Sequence, residues 1–310
     1  MGNILGIDIG GTTIKGGRIC GNRIVEQVAL DTRADEGGEV TINQVREMIR
    51  QLRNDDTTAI GIGVPSVVDR MKGVVYNVQN IRDWEEVHLK AILEMDFHLP
   101  VHLGNDANCF AYGEKIFGKG SGFEHFVGIT LGTGVGGGII QQHRLLEDAN
   151  CGSGEFGEIP YLDSILEEYC GSRFFTRVEG KTAHEVALAA LEGDQRSVAL
   201  WNEYGIHLAA MVKIILLVLD PQAIIFGGAI ARSFPLFETA MREDLTNFTY
   251  PRSVSKLQIL TSELENAGIL GAAALCMDTH IYTYQNYHDY GFSSEKMAFA
   301  DTGDAHPGSM

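Results

Sequence analysis

Two glycine-rich segments, "GIDIGGTTIKGG" (residues 6–17) and "GITLGTGVGGGII" (residues 128–140), restrict what this chain can become more than any other feature. Each runs from an apolar strand pattern through Gly-Gly-Thr or Gly-Thr into a second run of β-branched residues and glycines, so each reads as a hairpin. Glycine lets backbone N–H groups approach a phosphate oxygen without a Cβ in the way, and threonine hydroxyls add donors. One such hairpin is compatible with a plain turn. Its return about 120 positions later points to a repeated device for gripping phosphate.

The elements around the hairpins repeat as well. "NILGIDIG", "TIKGGRIC" and "NRIVEQVAL" read as an antiparallel meander, and Ile42, Val45, Ile49 and Leu52 then recur at helical spacing. "AIGIGVPSVVD" reads as a buried strand ended by Pro65, and "VHLGNDANCFAYGEKIFG" as a strand entering a helix with Asn105 and Asp106 at the joint. In the second half the hairpin precedes a largely helical stretch (residues 183–219), the apolar strand "QAIIFGGAIA", and a small-residue helix in "ELENAGILGAAALCM". This order predicts an α/β fold with two related domains, and 310 residues is long for a single core. After Met277 the pattern dissolves, so residues 278–310 read as a tail.

A formal net charge of −17 argues against binding DNA or RNA through the phosphate backbone, while leaving room for a small phosphorylated ligand held by backbone amides. No basic segment and apolar run precede Ile4, so a cytoplasmic protein is expected. The longest apolar run, "LAAMVKIILLVL", contains Lys213 and reads as too short to cross a bilayer, hence as a buried helix. The five cysteines (Cys20, Cys109, Cys151, Cys170 and Cys276) lack any C-x-x-C pair, which fits free thiols in a reducing compartment.

Two rival phosphate motifs fail on context. "GTGVGG" (residues 132–137) satisfies G-x-G-x-x-G, but that fingerprint must open a helix, and here Ile139 and Ile140 predict a strand. "GEKIFGKG" (residues 113–120) places Gly120 where a magnesium-binding Ser or Thr belongs, and it closes a helix instead of opening one.

The carboxylates have two readings each. Asp8 is either a turn cap or the partner of a divalent cation, which would remove its repulsion for phosphate. Asp106 is either the N-cap of its helix or a base for a hydroxyl nucleophile at a strand's carboxyl end. Glu155, Glu158 and Glu167, in "GEFGEIPYLDSILEEY", form either a solvated acidic segment or a set of acceptors for a polyhydroxylated ligand. His143, His184 and His207 stand isolated and receive no role.

Taken in order, "DIGGTTIKGG", "GVPSVVD", "NVQNIRDW", "GNDAN", "LGTGVGGGII", "GEFGE", "IIFGGAIA" and "AGILGAA" resemble the ROK family of sugar kinases, within the actin/hexokinase/Hsp70 ATPase superfamily. The resemblance covers roughly residues 3–277. It implies two ribonuclease H-like (actin-like ATPase) α/β domains facing each other across a cleft, residues 1–117 and 118–277, with the closing helix (residues 266–277) packed back on the first. It implies transfer of the γ-phosphoryl group of ATP, with Mg2+, to the 6-hydroxyl of a hexose, glucose first. By position, Asp106 becomes the catalytic base, and Asn80, Asn105, Glu155, Glu158 and Glu167 hold the sugar. Gly10, Gly11, Thr12, Thr13, Lys15, Gly132, Thr133 and Gly134 lie along the phosphates, Asp8 is near magnesium directly or through water, and Gly227 and Gly228 admit adenosine.

The family pattern is broken in one region. Glu158 stands where G-E-x-G-H has its histidine, itself a sugar ligand in the family, and "IPYLDSILEEYCG" replaces the zinc-binding cysteine segment. No structural zinc is therefore expected. An N-acetylhexosamine kinase (N-acetylmannosamine or N-acetylglucosamine) remains an alternative, and a one-residue slip would select Glu168 in place of Glu167. The family also contains sugar-responsive repressors. Those carry a DNA-reading module ahead of the first phosphate strand, where this chain has three residues before Ile4. A sugar-binding pseudokinase is the further alternative, and a homodimer is the family's usual assembly.

Overall fold

Strict alternation along the first strand decides what lies on each side of the first sheet. In the computed structural model, which describes residues 2–78 and 81–277, β1 (Asn3–Ile9) buries Leu5, Ile7 and Ile9 on one face. Gly6 and Asp8 therefore share the other face. The apolar face is covered by α1 (Gly38–Leu52), which buries Ile42, Val45, Met48, Ile49 and Leu52, and by α2 (Leu89–Phe97). The sheet continues with β2 (Thr13–Cys20), β3 (Arg23–Asp31), β4 (Thr57–Val64) and β5 (Val101–Asn105). Its order is β3-β2-β1-β4-β5, antiparallel across β3-β2-β1 and parallel across β1-β4-β5.

The second sheet has the same plan. Its strands β6 (Phe126–Leu131), β7 (Val135–Gln141), β8 (Arg144–Leu145), β9 (Ala223–Gly227) and β10 (Gln258–Thr261) run in the order β8-β7-β6-β9-β10. Again the hairpin strands are antiparallel and the later ones parallel. The architecture is thus α/β, and the repetition expected from the two hairpins extends to whole-sheet topology. Both rival motifs resolve as expected: a strand follows "GTGVGG", and "GEKIFGKG" spans the end of α3 (Asp106–Phe117).

The outer face of the second sheet carries α4 (Leu166–Cys170), α5 (Arg173–Glu179), α6 (Ala183–Leu191), α7 (Gln195–Leu219) and α8 (Phe234–Leu245), with α9 (Pro251–Lys256) beyond. One expectation changes here. The apolar run around Lys213 belongs to a 25-residue helix, α7, which is long and apolar enough by length and composition to cross a membrane. In the fold it is a core helix: Trp201, Tyr204, Leu208, Met211, Val212 and Ile215 are buried, and Lys213 Nζ meets Asp244 Oδ2 of α8 at 2.7 Å.

Between the two sheets lie α3 and α10 (Ala267–Leu275). The strand glycines explain how α10 gets so close. A Cβ on Gly6 would fall 2.1 Å from the Ile269 carbonyl oxygen, and one on Gly61 would fall 1.9 Å from that of Ala272. Helix backbone rests directly on sheet backbone, which only glycine permits. Two small sheets complete the fold, one of three strands (Val67–Asp69, Val74–Tyr76, Glu86–Val87) and one of two (Pro160–Tyr161, Ser164–Ile165).

Candidate active site

Each glycine hairpin is clipped from outside by residues the sequence motif does not contain. In the first, Gly10 N–H donates to the Thr13 carbonyl at 3.0 Å, and buried Thr32 donates through its hydroxyl to Gly10 (2.7 Å) and through its amide to Thr12 (2.9 Å). In the second, Gly132 N–H donates to Gly134 (3.0 Å) and Ser172 N–H to Gly132 (2.9 Å). Glu167 Oε2 accepts from Val135 N–H at 3.0 Å and lies 2.4 Å from where a Cβ on Gly134 would be. Thr12 and Thr133 stay exposed at the two tips.

Asp8 is not a turn cap. It sits inside β1, paired in register with Lys15 of β2, and faces α10, where a Cβ on Gly268 would lie 2.2 Å from Oδ2. Its carboxyl is pushed up to about 6, chiefly by burial, then by the Asp106 charge, with Lys15 acting in the opposite sense.

Asp106 is not the N-cap either. That place belongs to Asn105, whose Oδ1 accepts from Ala107 N–H (2.8 Å) and Asn108 N–H (3.2 Å) while Nδ2 donates to the Ser66 carbonyl (3.3 Å). Among the described residues one amide hydrogen of Asn105 has no protein acceptor. Asp106 follows as the first residue of α3, its Oδ1 taking Ala107 N–H at 2.8 Å. Solvent reaches it, yet the surrounding protein is dense enough that burial raises its carboxyl above the usual range. Backbone N–H donation at a helix start works the other way, favouring the charge.

The loop glutamates come to the same place. Glu155 is raised above its ordinary value, first by burial, then by Asp106, Glu158 and Glu167, so carboxylates from both halves of the chain share one field. Of the adjacent pair, Glu167 faces the second hairpin and Glu168 takes Arg173 Nη1 at 2.8 Å. Asn80 lies outside the described residues.

Gly227 and Gly228 open a cavity of about 830 Å3, lined also by Phe110, Arg232 and the segment from Thr261 to Ala267. Gly228 has φ +88, and a Cβ there would be 2.3 Å from the Leu131 carbonyl oxygen. The volume suits a nucleoside. Phe110, Thr32 and this segment were not legible as site residues, because each reaches the site only through tertiary packing.

Two metals can be tested against the side chains. Asp8 offers hard carboxylate oxygens at a buried place beside the Asp106 charge, and a magnesium ion there would relieve the repulsion that raises its carboxyl. The zinc region does not fit zinc. The cysteine segment is replaced by the two-stranded hairpin, and Cys170 is wholly buried with its thiol pushed upward by burial. Among the described residues no group of three or more His, Cys, Asp or Glu is placed to hold an ion. His207 is not isolated, as its Nδ1 lies 3.1 Å from the Tyr161 hydroxyl among the rings of Tyr169 and Phe174. Nor is His143, whose Nδ1 lies 3.0 Å from Lys115 Nζ.

Known proteins resemble this chain over most of its length. The model of the ROK family matches residues 4–279. A glucokinase of Thermotoga maritima is 30% identical, the alignment covering 88% of this chain and 96% of the relative. The xylose repressor of Bacillus subtilis is 25% identical over 89% of this chain and 77% of its own length. Among solved structures, a ROK family glucokinase from Streptomyces griseus in complex with glucose and AMPPNP superposes with a TM-score of 0.74 at 28% identity, covering 88% of this chain and 99% of that one.

Proposed function

This chain belongs to the ROK family, and from that premise we propose that it is an ATP-dependent sugar kinase acting on the 6-hydroxyl of a hexose, with glucose the first substrate. The observation that carries the reading is convergence. Both glycine hairpins, the Asp106 carboxylate and the glutamates of the 155–167 segment meet at one place, next to a nucleoside-sized cavity. The similar structure that holds glucose and AMPPNP supports both ligands.

In this reading Asp106 accepts the proton of the attacking hydroxyl. Burial raises its carboxyl, which makes it a stronger base than an ordinary aspartate. Asn80, Asn105, Glu155, Glu158 and Glu167 orient the sugar so that the hydroxyl stands in line with the γ-phosphorus. Gly10, Gly11, Thr12, Thr13 and Lys15 serve the phosphates from the first sheet, and Gly132, Thr133 and Gly134 from the second. Gly227 and Gly228 flank the nucleoside. Asp8 is the residue that would hold a magnesium ion, directly or through water, and such an ion would supply charge neutralisation for the phosphates. We assign residues 1–117 and 118–277 to two domains that close over the sugar and exclude water, in a cytoplasmic homodimer. The shared sheet order supports the division, and the family resemblance supports the assembly.

The second reading, an N-acetylhexosamine kinase, is favoured by one observation, the carboxylate of Glu158 in place of the family's histidine. ADP release with Mg-ATP against glucose, mannose, fructose, N-acetylglucosamine and N-acetylmannosamine separates the two. The expected result is turnover with one sugar that falls by roughly 10²–10⁴-fold in Asp106→Asn, the usual contribution of a general base. If no sugar raises ADP release above background, the kinase reading fails and a sugar-binding pseudokinase or regulator replaces it.

A further inference from the structure

Glu114 is a fully buried carboxylate that none of the chemistry above uses. It lies on α3, about 12 Å further along the helix axis than Asp106. Both of its oxygens are engaged. Ser262 donates its hydroxyl to Oε1, and the Lys119 amide donates to Oε2 at 2.9 Å. Ser262 Oγ in turn accepts from Leu264 N–H at 3.1 Å, and Ser262 N–H donates to the Phe226 carbonyl at 2.8 Å. Lys119 adds a second tie, its Nζ donating to the Thr261 carbonyl (2.8 Å) and to Glu263 Oε1 (2.7 Å). Thr261, Ser262, Glu263 and Leu264 are wall residues of the 830 Å3 cavity.

A buried charge with no role is costly, and a buried carboxylate with two donors becomes a rigid anchor. We propose that Glu114 is a positioning residue for the phosphoryl donor. It fixes the wall of the nucleoside cavity to the same helix that begins with Asp106, so donor and base are referred to one element. The proposal rests on the sugar-kinase reading, and it adds a residue outside every motif that carries the family resemblance. Ser262 is the serine through which the anchor acts.

The test is equilibrium binding of Mg-AMPPNP and, separately, of glucose by calorimetry, with the melting temperature measured alongside. Ser262→Ala removes the link and leaves the helix intact. Ser262→Thr keeps the hydroxyl. Glu114→Gln keeps the shape and loses the charge. The expected result is AMPPNP affinity about tenfold weaker in Ser262→Ala, the size of one lost hydrogen bond to a charged group. Glu114→Gln weakens it in the same direction, Ser262→Thr stays within twofold of wild type, and glucose affinity is unchanged throughout. A lower melting temperature with AMPPNP affinity intact in Ser262→Ala and Glu114→Gln would make the contact merely structural and overturn the proposal alone. Wild-type protein that binds no Mg-AMPPNP overturns the sugar-kinase reading and the proposal with it.

Discussion

Asp8 shows what the site costs the fold. A carboxyl raised from 3.8 to about 6 is held more tightly as the acid in the folded state than in the unfolded chain. The folded protein therefore binds the extra proton between about pH 4 and pH 6, and Asp8 makes stability fall as pH rises through that window, with no further change above it. Asp8→Asn removes the buried charge at nearly the same shape. In the absence of nucleotide the variant is expected to be more stable than wild type at pH 8, by on the order of 1–3 kcal/mol, and to lose that advantage by pH 4. Urea unfolding at the two pH values reads this directly, and equal gains at both would show that Asp8 is not destabilised by its charge. On the proposed reading, in which Asp8 lies near magnesium, the same variant is expected to lose turnover as it gains stability. Asp106 and Glu155 are also shifted upward, so activity should fall on the acid side at a higher pH than ordinary carboxylates would give.

At the level of elements, the decisive contact is α10 lying on the backbones of β1 and β4. Gly61→Ala would place a methyl group 1.9 Å from a helix carbonyl, so either strand or helix must move. Overpacking of this kind costs about 3 kcal/mol, seen as a lower urea midpoint at an unchanged slope. Gly122→Ala, where a Cβ meets nothing within 4 Å, is the control and should be close to neutral. A Gly61→Ala midpoint equal to the control's would mean that α10 is not seated as described. This contrast marks how far the sequence could be read. The hairpins, α1 and the strand entering α3 were legible because their signals are local: alternation, helical spacing and a turn. Whether Asn105 or Asp106 caps α3 was not, since both residue types cap well and only the Ser66 carbonyl, 39 residues away, decides. Gly6 and Gly61 were visible only as strand glycines; the helix that needs them comes more than 200 residues later. The Glu114–Ser262 link spans 148 positions and carries no periodic signature at all.

For the molecule as a whole, the question is whether two similar sheets make two folding units or one. The packing argues for one. Ile269, Leu270 and Ala273 of α10 join Ile19 of the first sheet, while Ala272, Ala274 and Leu275 join α3 together with Phe126, Ile140 and Ile225 of the second. Losing either sheet strips one side of a helix pair that the other needs, so partial unfolding leaves the remaining half with exposed apolar surface. The two tryptophans report the halves separately, since Trp84 packs in the core of the first sheet and Trp201 in that of the second, and both are buried. In Trp84→Phe and Trp201→Phe, each retaining a single reporter, fluorescence is expected to follow the same urea transition as circular dichroism measured on the same variant. A fluorescence midpoint well below the circular dichroism midpoint in one of them would show that its half opens first. On the proposed reading glucose and AMPPNP bind where both halves contribute, so each should move fluorescence and circular dichroism together and by equal amounts, because a ligand held by the whole fold stabilises the whole fold.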